Sequence, residues 1–401
     1  MRLSAYLHFA VDELLESDLS YLPCISDYDT CWAARLTNED GSLAYPHLLD
    51  ELLGRQHPDG SWGSREPYGY DRLLTTLAVV LLLARFGGRQ RDKEQRLAGQ
   101  RYIWQQAAEL DLGVHPTVGF EMILPTLLKE GQELELDLPY TLLGLYEEER
   151  KEKLRLLPVQ RLFETQTTAL FSLEAFAGNI DLNKAADNLL SRDGSMATSP
   201  SATAWLLGQV PNWRTRLPKS AAYVEGLLAR YGVGLPTVAP YDIFARAWLL
   251  YYLYHGGLLD GHEELLSPHY RYLYDHWSAE GIGWSSTAIP DADDTAMVLL
   301  ALRRAGHDVD GTILLSYERE QHFAVFDYER DPSVSANLHI LEASCTLPER
   351  DRQRVRDKIL TYVFGERQRG TFWTDKWHAS FYYPTSQALA ALLPYAPDEM
   401  D

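Results

Sequence analysis

Apolar residues recur at three- and four-residue spacing along most of the chain, the period of a helix with one buried face. Arg72–Phe86, Asp242–Tyr254, Asp294–Ala305 and Asp351–Val363 are the clearest runs. Gly and Pro cluster between such runs, at Gln56–Gly60, Gly232–Pro240 and Gly281–Gly283, where turns are expected. No segment sustains the two-residue alternation of a half-buried strand, so the pattern predicts an all-α fold. Weak echoes run through it. Gln56–Gly63 (QHPDGSWG) and Ser191–Ala204 (SRDGSMATSPSATA) share an Asp-Gly-Ser element ahead of a helix. Gly281–Ser285 (GIGWS) precedes a further helix in the same way. Helix pairs repeated like this predict α/α toroids, in which no single helix buries its apolar face alone. A shift at Arg214–Ser220, with Pro218, suggests a domain boundary.

Composition narrows the function. The 401 residues fit one large or two medium domains. A net charge of -20 argues against nucleic acid, which needs an excess of Lys and Arg. A phosphorylated small molecule stays open, because a local basic pocket can sit in an acidic protein. Cys24, Cys31 and Cys345 fit neither a disulfide framework nor a zinc site, so free thiols and a reducing, cytoplasmic setting are expected. No run of about 18 apolar residues exists, so no membrane span is expected, and the early acidic residues do not suit a signal peptide.

The chemistry concentrates at Asp291-Ala292-Asp293-Asp294, after Pro290 and before an apolar helix. One reading is an acidic N-cap, since free N–H groups and the helix dipole favour carboxylates there. Magnesium binding is another. The third is acid catalysis: carboxylates held close cannot all ionise, so one keeps its proton near neutral pH. An acid able to protonate an alkene would need aromatic faces to shield the resulting cation. Trp248, Tyr251, Trp284, Trp377, Tyr382 and Tyr383 lie in the same half of the chain.

At this point the chain resembles the bacterial class II diterpene cyclases, the copalyl diphosphate synthase group. Ser26–Leu36 (SDYDTCWAARL), Gln56–Gly63, Asp71–Ala78 (DRLLTTLA), Thr117–Leu127 (TVGFEMILPTL), Ser199–Ala204 (SPSATA), the DADDTA segment, Pro332–Leu341 (PSVSANLHIL) and Asp375–Tyr383 (DKWHASFYY) resemble family elements in order. The resemblance implies two α/α-toroid domains of βγ type, with residues 1–19 and 216–401 as the β domain and 20–215 as the inserted γ domain. It implies an active site between them, and protonation-initiated cyclisation of a linear prenyl diphosphate, most often geranylgeranyl diphosphate, with the diphosphate retained. Asp293 maps to the general acid, Asp291 and Asp294 to its tuners and Asn337 to its anchor. Lys376 and Lys153 map to diphosphate lysines, which suits an ammonium as a point-charge partner. Mg2+ would screen the diphosphate; Glu147, Glu148 and Glu149 are candidates by charge alone. Trp284, Trp377 and Tyr382 are taken as cation-stabilising aromatics, and Asp71 as structural. His57, His339 and His378 fall in motifs but receive no role.

The chain also departs from the family. The plant terminal base positions map to Phe171 and Thr237, and Phe cannot accept a proton. No DDxxD segment is present, so ionisation of the diphosphate is not expected here, and a separate class I terpene synthase would act on the product. The family continues past the DKWHxSxYY element, so the β toroid is expected to be incomplete and its cavity-facing apolar surface exposed. A homodimer or partner chain would complete it. A non-catalytic prenyl-diphosphate-binding relic is the alternative reading. A glycosidase, needing two separated carboxylates, or a zinc prenyltransferase fits the motif poorly.

Overall fold

The computed structural model describes residues 3–21, 23–110, 118–156, 166–178, 180–327, 329 and 331–396. Thr117, which opens the expected Thr117–Leu127 element, lies outside the described residues. The fold is all-α. Among the described residues, strands are limited to a two-residue antiparallel pair, Ile25–Ser26 with Leu235–Pro236. The chain divides into two compact units, Met1–Leu22 with Pro240–Asp401, and Pro23–Ala239.

The second boundary lies later than the shift at Arg214–Ser220 suggests. The helix Pro218–Tyr231 buries Ala221, Val224 and Leu227 and packs with the helix Pro200–Gly208 of the inserted unit. Ser220 Oγ donates to Gly194 O at 2.6 Å, and Tyr223 OH to Ala239 O at 2.6 Å. The Pro at residue 218 therefore starts a helix inside the unit, at a position where a missing N–H costs nothing. Residues 216–239 go with the insert.

The faint sequence echoes become a repeated clamp. In each copy a loop N–H donates to a side chain of a helix. In the inserted unit, Trp62 N donates to Thr76 Oγ1 at 2.9 Å, Met196 N to Thr203 Oγ1 at 2.9 Å, and Leu235 N to Thr30 Oγ1 at 3.0 Å. In the other unit, Ile282 N donates to Thr295 Oγ1 at 3.0 Å, Phe323 N to Asn337 Oδ1 at 2.9 Å, and Trp373 N to Thr385 Oγ1 at 3.1 Å. A buried loop N–H without such a partner would be costly, which gives the clamp its value. The Asp-Gly-Ser turns ahead of two clamps match as well. Ser61 N and Ser195 N reach Asp59 Oδ1 and Asp193 Oδ1 at 2.9 and 3.0 Å, and the central Gly60 and Gly194 have φ of +91° and +88°. Trp62 Nε1 and Trp373 Nε1 each donate at 2.7 Å to a carbonyl ten residues back, Leu52 O and Val363 O.

The core that positions the site lies in the unit containing Pro240–Asp401. The helices Asp242–His255, Ala292–Arg304, Val334–Ala343 and Tyr382–Leu392 pack together there. Ala247, Val298, Leu299, Leu338, Ile340, Leu341 and Trp373 are buried between them, and each large apolar side chain contributes roughly 1.5–3 kcal/mol by leaving water.

Candidate acid site

Three helix N-termini in this chain share one frame. Ser199, Asp291 and Ser333 are N-caps whose side chains accept from the N–H three residues on. Each is followed, four residues after the cap, by the clamp residue Thr203, Thr295 or Asn337. Two of these read Ser-x-Ser-Ala; the third reads Asp-x-Asp-Asp. The acidic motif is thus a capping frame in which carboxyls stand where the other copies carry hydroxyls and a methyl. The N-cap reading holds for one member: Asp291 caps, with its Oδ1 accepting from Asp294 N at 2.8 Å.

Burial separates the three. Asp291 is 1% and Asp294 5% exposed. Loss of water, then the charge of Asp293, pushes the Asp291 carboxyl up to about 8. Loss of water, then the charges of Asp291 and Asp293, pushes Asp294 well above its usual value. Asp291 Oδ2 and Asp294 Oδ1 are buried with no hydrogen-bond donor. A proton held between these two carboxyls satisfies both oxygens and relieves the repulsion. Asp293 is the partly open member, its side chain 16% exposed.

The partner of Asp293 is His339: Nδ1 lies 2.6 Å from Asp293 Oδ1. Burial opposes charge on this imidazole, but the Asp293 carboxylate outweighs it and the His339 pKa is raised. Asn337, expected as the anchor, does something else. It accepts from Phe323 N and donates to Phe323 O and Ser333 O, at 2.9, 2.9 and 2.8 Å. Its amide is used up as a clamp, where the five other copies have Thr. The signal was available in the sequence: aligning SATA, DDTA and SANL places Asn337 under Thr203 and Thr295, which frees His339 for the acid.

The aromatic surroundings also differ from expectation. Tyr241, Phe244 and Trp248 stack in series, with centroids 4.3 and 3.7 Å apart. The Trp248 ring stands edge-on to His339 at 5.4 Å, and its Nε1 donates to Tyr383 OH at 3.1 Å. Tyr383 feels the Asp293 charge; Tyr382 is 75% exposed and points away. Consecutive helix positions lie about 100° apart, so the wall takes one tyrosine or the other. Trp377, 42% exposed, lies under Lys376, and Trp284 stands 6.4 Å from Phe326 in an edge-on pair.

Both lysines are engaged. Lys376 Nζ pairs with Glu329 Oε1 and donates to Asp331 O at 2.5 Å. Lys153, in the inserted unit, pairs with Glu121 at 2.5 Å. Glu148 is exposed and pairs with Lys151. Asp71 Oδ2 accepts from Ser64 N at 2.8 Å, a loop-bracing bond. Among the described residues no group of three His, Cys, Asp or Glu is placed to hold a metal.

A helical toroid with a carboxylate cluster at one helix N-terminus and an aromatic wall beside it is the arrangement of terpene cyclases, and solved structures of that class share this fold. The chain is 35% identical to the bifunctional levopimaradiene synthase of Pinus banksiana over 328 residues, 80% of this chain and 37% of that protein. It is 30% identical to copalyl diphosphate synthase 1 of Selaginella moellendorffii over 361 residues, 88% of this chain and 48% of that protein. The crystal structure of ent-copalyl diphosphate synthase from Arabidopsis thaliana, in complex with (S)-15-aza-14,15-dihydrogeranylgeranyl thiolodiphosphate, matches with a TM-score of 0.87 at 27% identity, covering 98% of this chain and 57% of that one. The chain therefore spans less than half the length of these two curated relatives. No family model matches it. No described helix is long and apolar enough to cross a membrane.

Proposed function

We propose that this chain is an enzyme that carries the acid of a class II cyclase and converts a linear prenyl diphosphate, geranylgeranyl diphosphate first among them, into a bicyclic copalyl-type diphosphate. The observation that supports this reading most is the division of labour among the three carboxyls. Two are buried, each with an oxygen that has no donor; the third is partly open and bonded to His339.

In this scheme the reactive form carries the proton on Asp293 with His339 neutral, and Asp293 transfers that proton to the terminal alkene carbon. The tertiary cation is attacked by the next double bonds in turn, and a base or water removes the last proton. Carbon–oxygen bonds to the diphosphate stay intact. His339 Nδ1–H donates to Asp293 Oδ1, which stabilises the carboxylate left behind and so makes the acid stronger. One proton shared by Asp291 and Asp294 leaves a single negative charge beside the acid instead of two. The stacked faces of Tyr241, Phe244 and Trp248 supply negative quadrupole to the cation and exclude water. The diphosphate arrives as its Mg2+ complex, with Lys376 as its protein cation; Mg2+ is part of the substrate in this scheme.

Incubation with geranylgeranyl and farnesyl diphosphate and Mg2+, followed by dephosphorylation and gas chromatography, is expected to give a bicyclic alcohol. Asp293→Asn is expected to abolish it. The same product from Asp293→Asn as from the parent protein would remove the mechanism.

A further inference from the structure

Both lysines expected to meet the diphosphate are already paired, each with a glutamate whose side chain is only 4% exposed: Glu329 for Lys376 and Glu121 for Lys153. The Lys376 pair is the better built. Its lysine is 13% exposed. An ammonium has three donors, and here one goes to Glu329 Oε1 and one to Asp331 O. Glu329 is fixed from the other side: its Oε2 accepts from Val325 N at 2.7 Å. Val325 O in turn accepts at 3.2 Å from Ala292 N, between Asp291 and Asp293 at the start of the acid helix. An arriving anion therefore meets a neutral pair, and the carboxylate is held by backbone that also braces the acid.

We propose that Glu329 is a positioning residue that latches Lys376 in the ligand-free protein, and that a diphosphate group must displace its carboxylate to bind. This rests on the assignment of Lys376 to the diphosphate made above. Releasing Lys376 leaves Glu329 buried beside Asp375, with Tyr362 also facing it, while His322 feels the charges of Arg319, Lys358 and Lys376. Burial already pushes the Glu329 carboxyl up, and Lys376 is the main influence holding it down. Anion binding is therefore coupled to proton uptake by Glu329. The bond to Val325 N survives protonation, because the carbonyl oxygen of the acid still accepts.

Glu329→Gln separates charge from geometry. The amide oxygen can still accept from Val325 N, while the charge that competes for Lys376 is gone. Inorganic pyrophosphate, titrated by calorimetry into the full chain, is the probe. Glu329→Gln is expected to bind it about tenfold more tightly than the parent protein near neutral pH, because a charge-assisted bond no longer has to be broken. The parent protein is expected to take up more protons on binding than Glu329→Gln, measured in two buffers of different ionisation enthalpy; the titration of pyrophosphate itself cancels in that difference. Glu329→Asp, which keeps the charge but shortens its reach, is expected to fall between the two. Lys376→Met in the Glu329→Gln background should erase the gain. Weaker or unchanged binding in Glu329→Gln, equal proton uptake, or no binding by any of these proteins would overturn the latch. Pyrophosphate binding with the expected order but no cyclised product from the parent protein would overturn the proposed function and leave the latch standing.

Discussion

Replacing Asp291 by Asn should make the protein more stable near pH 8 while removing its activity. Asp291 is fully buried and its carboxyl titrates at about 8, against 3.8 for the unperturbed group. The sign follows from proton counting. Between those values the folded state holds a proton that the unfolded state has released, so stability falls as pH rises, by up to about 1.4 kcal/mol per pH unit. Carried to pH 8 the cost reaches on the order of 5 kcal/mol, and a shared proton and local relaxation reduce it toward about 2 kcal/mol. Asn is as good an N-cap as Asp, so its Oδ1 keeps the bond from Asp294 N. Its Nδ2 stands where Oδ2 has no donor and faces Asp294, whose Oδ1 is equally unsatisfied. The amide thus does permanently what the shared proton does only below its pKa. At roughly 2–4 °C per kcal/mol for a unit of this size, the melting temperature of Asp291→Asn should exceed the parent's by roughly 4–8 °C near pH 8. Near pH 4 the advantage should vanish. Thermal melts of both proteins across that range provide the check. Parallel stability curves, or a variant less stable at every pH, would refute the shared-proton account.

Further expectations follow from the site. His339→Ala should lower kcat by about a hundredfold to ten-thousandfold, the usual range for one acid–base partner, with His339→Asn recovering part of it; a change confined to melting temperature would leave His339 a packing residue. Because the His339 pKa is raised by Asp293, this contact contributes stability that is fully present below the unfolded histidine value. That contribution should be lost as pH rises through the folded value, and lost from the pH profile of Asp293→Ala. Asn337→Ala should cost about 2–4 kcal/mol, since three buried backbone bonds go with it. Asn337→Thr, the residue of the other clamps, should cost clearly less, and specific activity per folded molecule should stay near the parent's in both. Tyr383→Phe strips Trp248 Nε1 of its buried acceptor and should cost about 1–3 kcal/mol with loss of turnover. Tyr382→Phe should stay within about 0.5 kcal/mol, and reversed results would restore Tyr382 to the wall.

Much of this protein was legible in the chain itself. Helical periodicity gave an all-α fold, because burying one face of a helix requires apolar residues at every third or fourth place. The Asp-Gly-Ser turns gave the repeats, because a left-handed turn with a serine bracing bond demands those residues in that order. DADDT gave the cluster, because capping and close carboxyls are both local properties. What failed were statements about facing. Asn337 and His339 stand two positions apart on one helix, and Tyr382 and Tyr383 are neighbours on another. Period alone cannot say which of each pair turns toward Asp293. That choice was made by the clamp, which commits Asn337 to the Phe323 loop and so aims His339 at the acid, and by packing against Trp248, which selects Tyr383. Residues 216–239 went to the insert for the same reason: a proline marks where a helix begins, but only the partner it packs on says which unit it joins. Local sequence determined what each helix is made of; the tertiary structure decided which of its side chains meet, because contact depends on the rotation of each helix about its axis, and that is fixed by neighbours distant in the chain.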